Sequence, residues 1–190
     1  MKADILMNEI NLITTVYIKE WTIKVLENTL DYFFKAPASS TGKYHPICTC
    51  KEGGLVIHVK RAVYIANRLC SGWGITQLDR DIVISATILH DIAKVANLKE
   101  NSKISYEQYE NHPINGKDLL FSTLNSKENI VSPFAEIIIE IGNCIQNHIG
   151  LWTPEKVKKP IKDYTLLELV VYTADYMATI KDLITPKDNE

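Results

Sequence analysis

Six side chains of this 190-residue chain could do chemistry together: His58, the adjacent pair His90 and Asp91, His112, His148 and Asp175. Each falls where a helical pattern turns inward. In the segment opening at Ser132-Pro133, Phe134, Ile138, Ile141 and Ile145 recur at three-or-four spacing, and the next step on that stripe is His148. Glu136, Glu140, Asn143 and Asn147 mark the opposite, polar face. After Gly54, His58 lies with Ala62, Ile65 and Leu69, while Lys60, Arg61, Tyr64, Asn67 and Arg68 read as the solvent side. Asp175 stands in a segment that is apolar nearly all round, from Leu166 to Ala178, and such a helix is buried. His90 and Asp91 close the apolar run that starts at Val83. His112 precedes Pro113, which suits a first helical position, and Gly116 one turn on leaves room for a close approach.

A single inward histidine is usually a hydrogen-bonded core residue, and a single inward aspartate is usually paired with arginine. Here four histidines and two aspartates point inward from five segments, and no arginine reads as inward to pair with the acids. An unpaired buried carboxylate costs several kcal/mol, and metal coordination removes that cost. Neutral imidazoles with carboxylates suit a divalent first-row metal: Mn, Fe, Co, Ni or Zn. Two such ions would carry four positive charges against the two carboxylates. The surplus calls for an anion, and phosphate fits, because metal ions acidify water and stabilise charge on phosphoryl oxygens.

The elements that must position these residues are all helical. No segment alternates long enough for a strand, and the expected fold is an all-α, compact bundle of about seven helices around a metal site. Residues 4–35 hold one or two amphipathic helices. Further helices are expected at about 54–71, from Thr76 to about 93, at 113–125, from Ser132 to about 147, and from Thr165 to about 181, with a short piece at 104–111. Thr76 with Asp79 and Thr165 with Glu168 form capping pairs. Long loops cover 36–53 and 149–163, and loops of that length are often functional. A single domain is expected over 1–190, with 1–35 packing on a core at 50–181. The N-terminal helices would then be either a cap or a homodimer contact.

Lys and Arg number 21 against 23 acids, a net charge near −2, which disfavours duplex nucleic acid as a partner. Cys48, Cys50, Cys70 and Cys144 lack paired zinc spacing and read as reduced. The first ten residues carry acids and no apolar signal core, and no apolar run reaches the ~18 residues of a membrane span. A cytoplasmic, non-membrane protein is the expectation.

The ordered set His58, His90-Asp91, His112, His148, Asp175 resembles the HD superfamily of metal-dependent phosphohydrolases, in the subset with a second metal. "GGLVIHVKRAVYIANRL", "ATILHDIAK", "HPINGKDLL" and "LLELVVYTADYMAT" look like its ligand-bearing segments, so the resemblance covers roughly 50–180. It implies that His58, His90, Asp91 and Asp175 hold one ion, and that His112 and His148, with Asp91 bridging, hold the second. It also implies attack of a metal-bound hydroxide on phosphorus, with Asp91 and Lys94 in catalytic positions. Lys94 matches a lysine that contacts substrate phosphate, although a solvated helix end would equally favour a cation there.

Two loops could touch substrate. Lys43, Tyr44 and His45 suit phosphate and base contacts, and Trp152 could stack on a base or cover the site. Lys156, Lys158 and Lys159 read first as a solvated face. The implied activity is hydrolysis of a nucleotide or related small phosphoester. The alternatives are a single-strand nuclease or a diiron oxygenase of the same fold.

Overall fold

A computed structural model describes residues 1–39, 42–94, 110–125 and 134–189. Among them there is no strand. The described residues form eight α-helices: α1 (Met7–Ile10), α2 (Val16–Asn28), α3 (Asp31–Lys35), α4 (Gly54–Gly72), α5 (Gln77–Leu89), α6 (His112–Asn125), α7 (Phe134–Asn147) and α8 (Leu166–Ala178). Short 3-10 turns fill much of the intervening chain. The expected start of α7 at Ser132-Pro133 lies outside the described residues, as does most of the expected piece at 104–111.

The core is built from apolar stripes that meet. The inner stripe of α4 (Leu55, Val59, Ala62, Val63, Ala66, Cys70) is buried against α8 and α5. The central helix is α5, which touches α1, α2, α4, α7 and α8, and its residues from Asp81 to Leu89 are all buried. The N-terminal helices lie on this core, with Leu6, Ile10, Ile13, Ile18, Val25 and Leu26 fully buried. Asp81 fastens them: one of its oxygens accepts from the amides and hydroxyls of Thr14 and Thr15 at 2.7–3.1 Å, at the start of α2. No helix among the described residues is long and apolar enough to cross a membrane.

Both expected caps form. Thr76 accepts from the Asp79 amide, and Thr165 and Glu168 complete a reciprocal capping box. Four sequence expectations are corrected. First, α5 ends at Leu89 instead of about 93: Ile92 and Lys94 donate to carbonyls only three residues back, a tight turn that replaces further α-helix. Second, Arg61 is fully buried instead of solvent-facing. Its guanidinium binds the carbonyls of Ala178, Ile180 and Leu183 and pairs with Asp188, so it ends α8 at Ala178 and holds the chain beyond it. It does not pair with Asp91 or Asp175. Third, Asn147 is buried and donates to Glu168 at 2.7 Å, because α8 packs on α7 and brings Glu168 over that face. Fourth, α8, although apolar nearly all round, is not buried all round, since Leu166 and Tyr176 are exposed.

Candidate metal centre

All six side chains singled out in the sequence come together where α4, α5, α6, α7 and α8 converge. The route differs for each. His58 lies in the second turn of α4, and its ring is buried by the packing of α4 on α8. His90 caps α5, and Asp91 comes next, in the turn that breaks the helix. His90 itself keeps helical angles, φ −58° and ψ −37°, and neighbours on a helix project about 100° apart. His90 and Asp91 therefore reach the cluster in different directions. His112 opens α6, and His148 directly succeeds the last residue of α7. Asp175 comes from the last turns of α8.

The donor atoms face one another. His58 Nε2 is 2.9 Å from Asp175 Oδ1 and 3.3 Å from His90 Nε2, and His90 Nε2 is 3.4 Å from Asp175 Oδ1. His112 Nε2 is 3.2 Å from His148 Nε2. Asp91 stands between these groups. Its Oδ2 is 3.5 Å from His90 Nε2 and 3.8 Å from His58 Nε2, while its Oδ1 is 3.2 Å from His112 Nε2 and 3.5 Å from His148 Nε2. Two triads have all their ligand atoms within 4.8 Å of one another: His58, His90 and Asp175, and His90, Asp91 and His148.

These spacings fit a shared ion. Two donors each about 2.1 Å from one ion, at roughly 90–110°, lie about 3.0–3.4 Å apart. The ring orientations fit as well. His90 Nδ1 lies 2.7 Å from the Thr87 carbonyl and His148 Nδ1 lies 2.6 Å from the Ile145 carbonyl, so each places a proton there and turns Nε2 toward the cluster, as the nitrogen that would face an ion. Asp91 Oδ1 is buried and accepts no well-aligned hydrogen bond. A buried carboxylate oxygen ringed by imidazole nitrogens is a dinuclear-type ligand set. Sequence reasoning missed the two carbonyls. The available signal was a histidine three residues beyond a helical carbonyl at a helix end.

The electrostatics show what the cluster attracts. Burial would raise Asp91 and Asp175, yet both lie well below the usual carboxylate range, Asp91 mainly through Lys94 and His90, Asp175 mainly through His58 and His90. Burial lowers His58 and His148. It also opposes charge on His90, but the Asp91 charge and the Asp175 contact outweigh it and push His90 up to about 10. Two carboxylates thus draw positive charge into a dry pocket. Lys94 answers in the same way, with Nζ 2.9 Å from Asp91 Oδ2, and so is not simply a solvated helix end.

The loop residues separate. Lys43 and Tyr44 are exposed, whereas the His45 ring centroid lies 5.6 Å from that of His58. Burial beside His58 and Lys94 pushes His45 down to about 4. Trp152 is 83% exposed and so does not cover the centre. Of the nearby lysines, Lys158 pairs with Glu155 and Lys159 with Glu168.

The chain matches the HD domain family over residues 55–180. No curated protein and no solved structure matches it. The matched stretch runs from the first turn of α4 past the end of α8 and contains all six clustered side chains. With about two thirds of its length in that match and the paired His/Asp cluster inside it, the chain belongs to the HD domain family.

Proposed function

We propose that this metal-dependent hydrolase of the HD type acts on a nucleotide or a related small phosphoester. The observation that carries the reading is the division of Asp91: one oxygen faces His58 and His90, the other faces His112 and His148. In this reading His58, His90, Asp91 and Asp175 would hold one ion, and His112 and His148, with Asp91, would hold the other. Mn, Fe, Co and Ni suit such a nitrogen-and-oxygen set. Divalent ions, when bound, acidify water and neutralise charge on phosphoryl oxygens.

The chain's own residues do the rest. The apolar walls of α5 and α7 exclude water and keep the donors rigid, and the carbonyls of Thr87 and Ile145 hold two rings in the productive tautomer. Lys94, at the edge of the cluster, offers its ammonium to a phosphate oxygen. A nucleoside moiety is supported by exposed aromatic surface on both flanking loops, Tyr44 at 67% and Trp152 at 83% exposure. Protein loaded with each metal in turn should release phosphate or nucleoside products from a panel of nucleotides, dinucleoside polyphosphates and cyclic nucleotides. Silence across the panel would sink the reading.

One observation favours a single-strand nuclease as the second reading. Tyr172 and Tyr176 lie stacked on α8, ring centroids 6.5 Å apart, with Tyr176 exposed, and exposed aromatic rings can stack bases. Salt-sensitive binding of short oligonucleotides would support it.

A further inference from the structure

The loop ahead of α4 treats three neighbouring residues differently. Lys43 and Tyr44 face solvent, with the Lys43 ammonium 4.9 Å from the Tyr44 ring centroid. His45 turns inward onto His58, and its Nδ1 is buried with no hydrogen-bond partner. It belongs to neither ligand triad. Buried polar atoms are hydrogen-bonded as a rule, and an exception beside a ligand cluster points to a group from outside the chain.

The turn from Pro46 to Gly54 imposes the position of His45. Pro46 is buried, and its carbonyl accepts from Thr49 N at 3.0 Å, Thr49 Oγ1 at 2.8 Å and Cys50 Sγ at 3.3 Å. Gly54 clamps this turn from below, since a Cβ there would lie 2.1 Å from the Thr49 carbonyl oxygen. The chain directly after His45 is therefore held against the start of the helix that carries His58, and the His45 ring packs against that of His58. A backbone anchored next to the side chain favours a preorganised contact.

The cluster itself says where the ligand enters. Asp175 and Lys94 have side chains 15% and 12% exposed, while those of His58, His90, Asp91, His112 and His148 are at most 4% exposed. Among the described residues the cluster meets solvent at Asp175 and Lys94. His45 lies within electrostatic reach of both.

We infer that His45 is a substrate contact: it hydrogen-bonds an oxygen of the phosphoryl group that sits on the His58/Asp175 half of the centre, opposite the oxygen held by Lys94. This rests on the hydrolase reading of the same centre. It makes the centre one-sided, with the anion between His45 and Lys94 and the His112/His148 half behind it.

The test uses the full chain loaded with Mn(II), comparing wild type with His45→Ala and His45→Phe; the Phe variant keeps the ring packing on His58 without either nitrogen. Circular dichroism checks folding, and elemental analysis should find the same Mn content in all three. Inorganic phosphate, titrated calorimetrically, should bind roughly 10- to 100-fold more weakly to the variants, the loss expected for one hydrogen bond to a charged group. The kcat/KM for any phosphoester that the wild type cleaves should fall by a similar factor. Phosphate affinity within twofold of wild type in the folded variants would overturn the inference. Loss of Mn would also overturn it, by making His45 a ligand. If the wild type cleaves nothing yet phosphate binding depends on His45, the contact stands and the hydrolase reading falls. If the wild type cleaves substrate and both variants match it, the reading stands and the contact falls.

Discussion

The His58/His90/Asp175 half of the centre is carried by α4, α5 and α8, three helices that pack directly on one another. The His112/His148 half is carried by helix ends, the first residue of α6 and the residue after α7. The first half has a carboxylate and an ammonium at its solvent edge; the second offers imidazoles that are almost wholly buried. On the proposed reading, the difference separates two tasks. A dry imidazole pair can anchor an ion but leaves an incoming anion little access, whereas the partly open half can both bind an ion and receive a substrate. Asp91 joins the two, one oxygen to each.

The largest effect is expected from the residue common to both halves. Asp91→Ala should lose both ions and reduce hydrolysis by more than the roughly 10- to 100-fold typical of losing a mere supporting partner. Elemental analysis of the folded variant checks it, and retention of two ions would end the bridging assignment. Next come the halves themselves. His58→Ala and Asp175→Ala should each lose one ion and nearly all turnover. His112→Ala and His148→Ala should lose one ion but keep measurable phosphate binding by calorimetry. Equal losses of phosphate affinity in all four would erase the functional difference between the halves.

A smaller effect should come from the support of the second half. Gly150, two residues after His148, has φ +57°, and a Cβ on it would lie 2.4 Å from the Tyr172 ring. Gly150→Ala combines left-handed strain with overpacking, about 2–4 kcal/mol, or a fall of several degrees in Tm by thermal melting. Weaker binding of one of the two ions should accompany it.

The smallest effect belongs to the strap behind the first half. Arg61, one turn after His58, holds the chain beyond α8 through Asp188. Burial would raise the Asp188 carboxyl, but the Thr185 amide and the Arg61 guanidinium outweigh it and hold it below its ordinary value of 3.8. A carboxyl depressed in the folded state contributes stability above its unfolded pKa and loses it as pH falls through the folded one. Asp188→Asn should therefore lower Tm at pH 7 by an amount worth about 1–2 kcal/mol. The gap to wild type should close as melts are taken below about pH 3.8. A gap that persists at low pH would mean that packing, and not charge, does the work.

Much of the helical layout is legible in the sequence because it rests on local chemistry. Thr76 and Thr165 announce helix starts through a hydroxyl three residues from an amide, and the spacing from Ile138 to Ile145 describes a buried face. Differences arise where a distant segment decides. Arg61 reads as solvent-facing from its neighbours on α4, but the carbonyls that bury it belong to residues more than a hundred positions away. Asn147 reads as polar surface until Glu168 folds over it. The end of α5 escapes a sequence reading because nothing local marks the turn at Asp91, which the cluster itself stabilises.

The sequence by itself determined which side chains could meet and that they are imidazoles and carboxylates with no inward-reading arginine to pair the acids. That much comes from periodicity, which is a property of single segments. Only the tertiary structure decided which oxygen of Asp91 faces which imidazole pair, the inward turn of His45 away from Lys43 and Tyr44, and that Asp175 and Lys94 are the more exposed members of the cluster. Those depend on atom positions set by packing between helices, and no spacing along one chain segment encodes them.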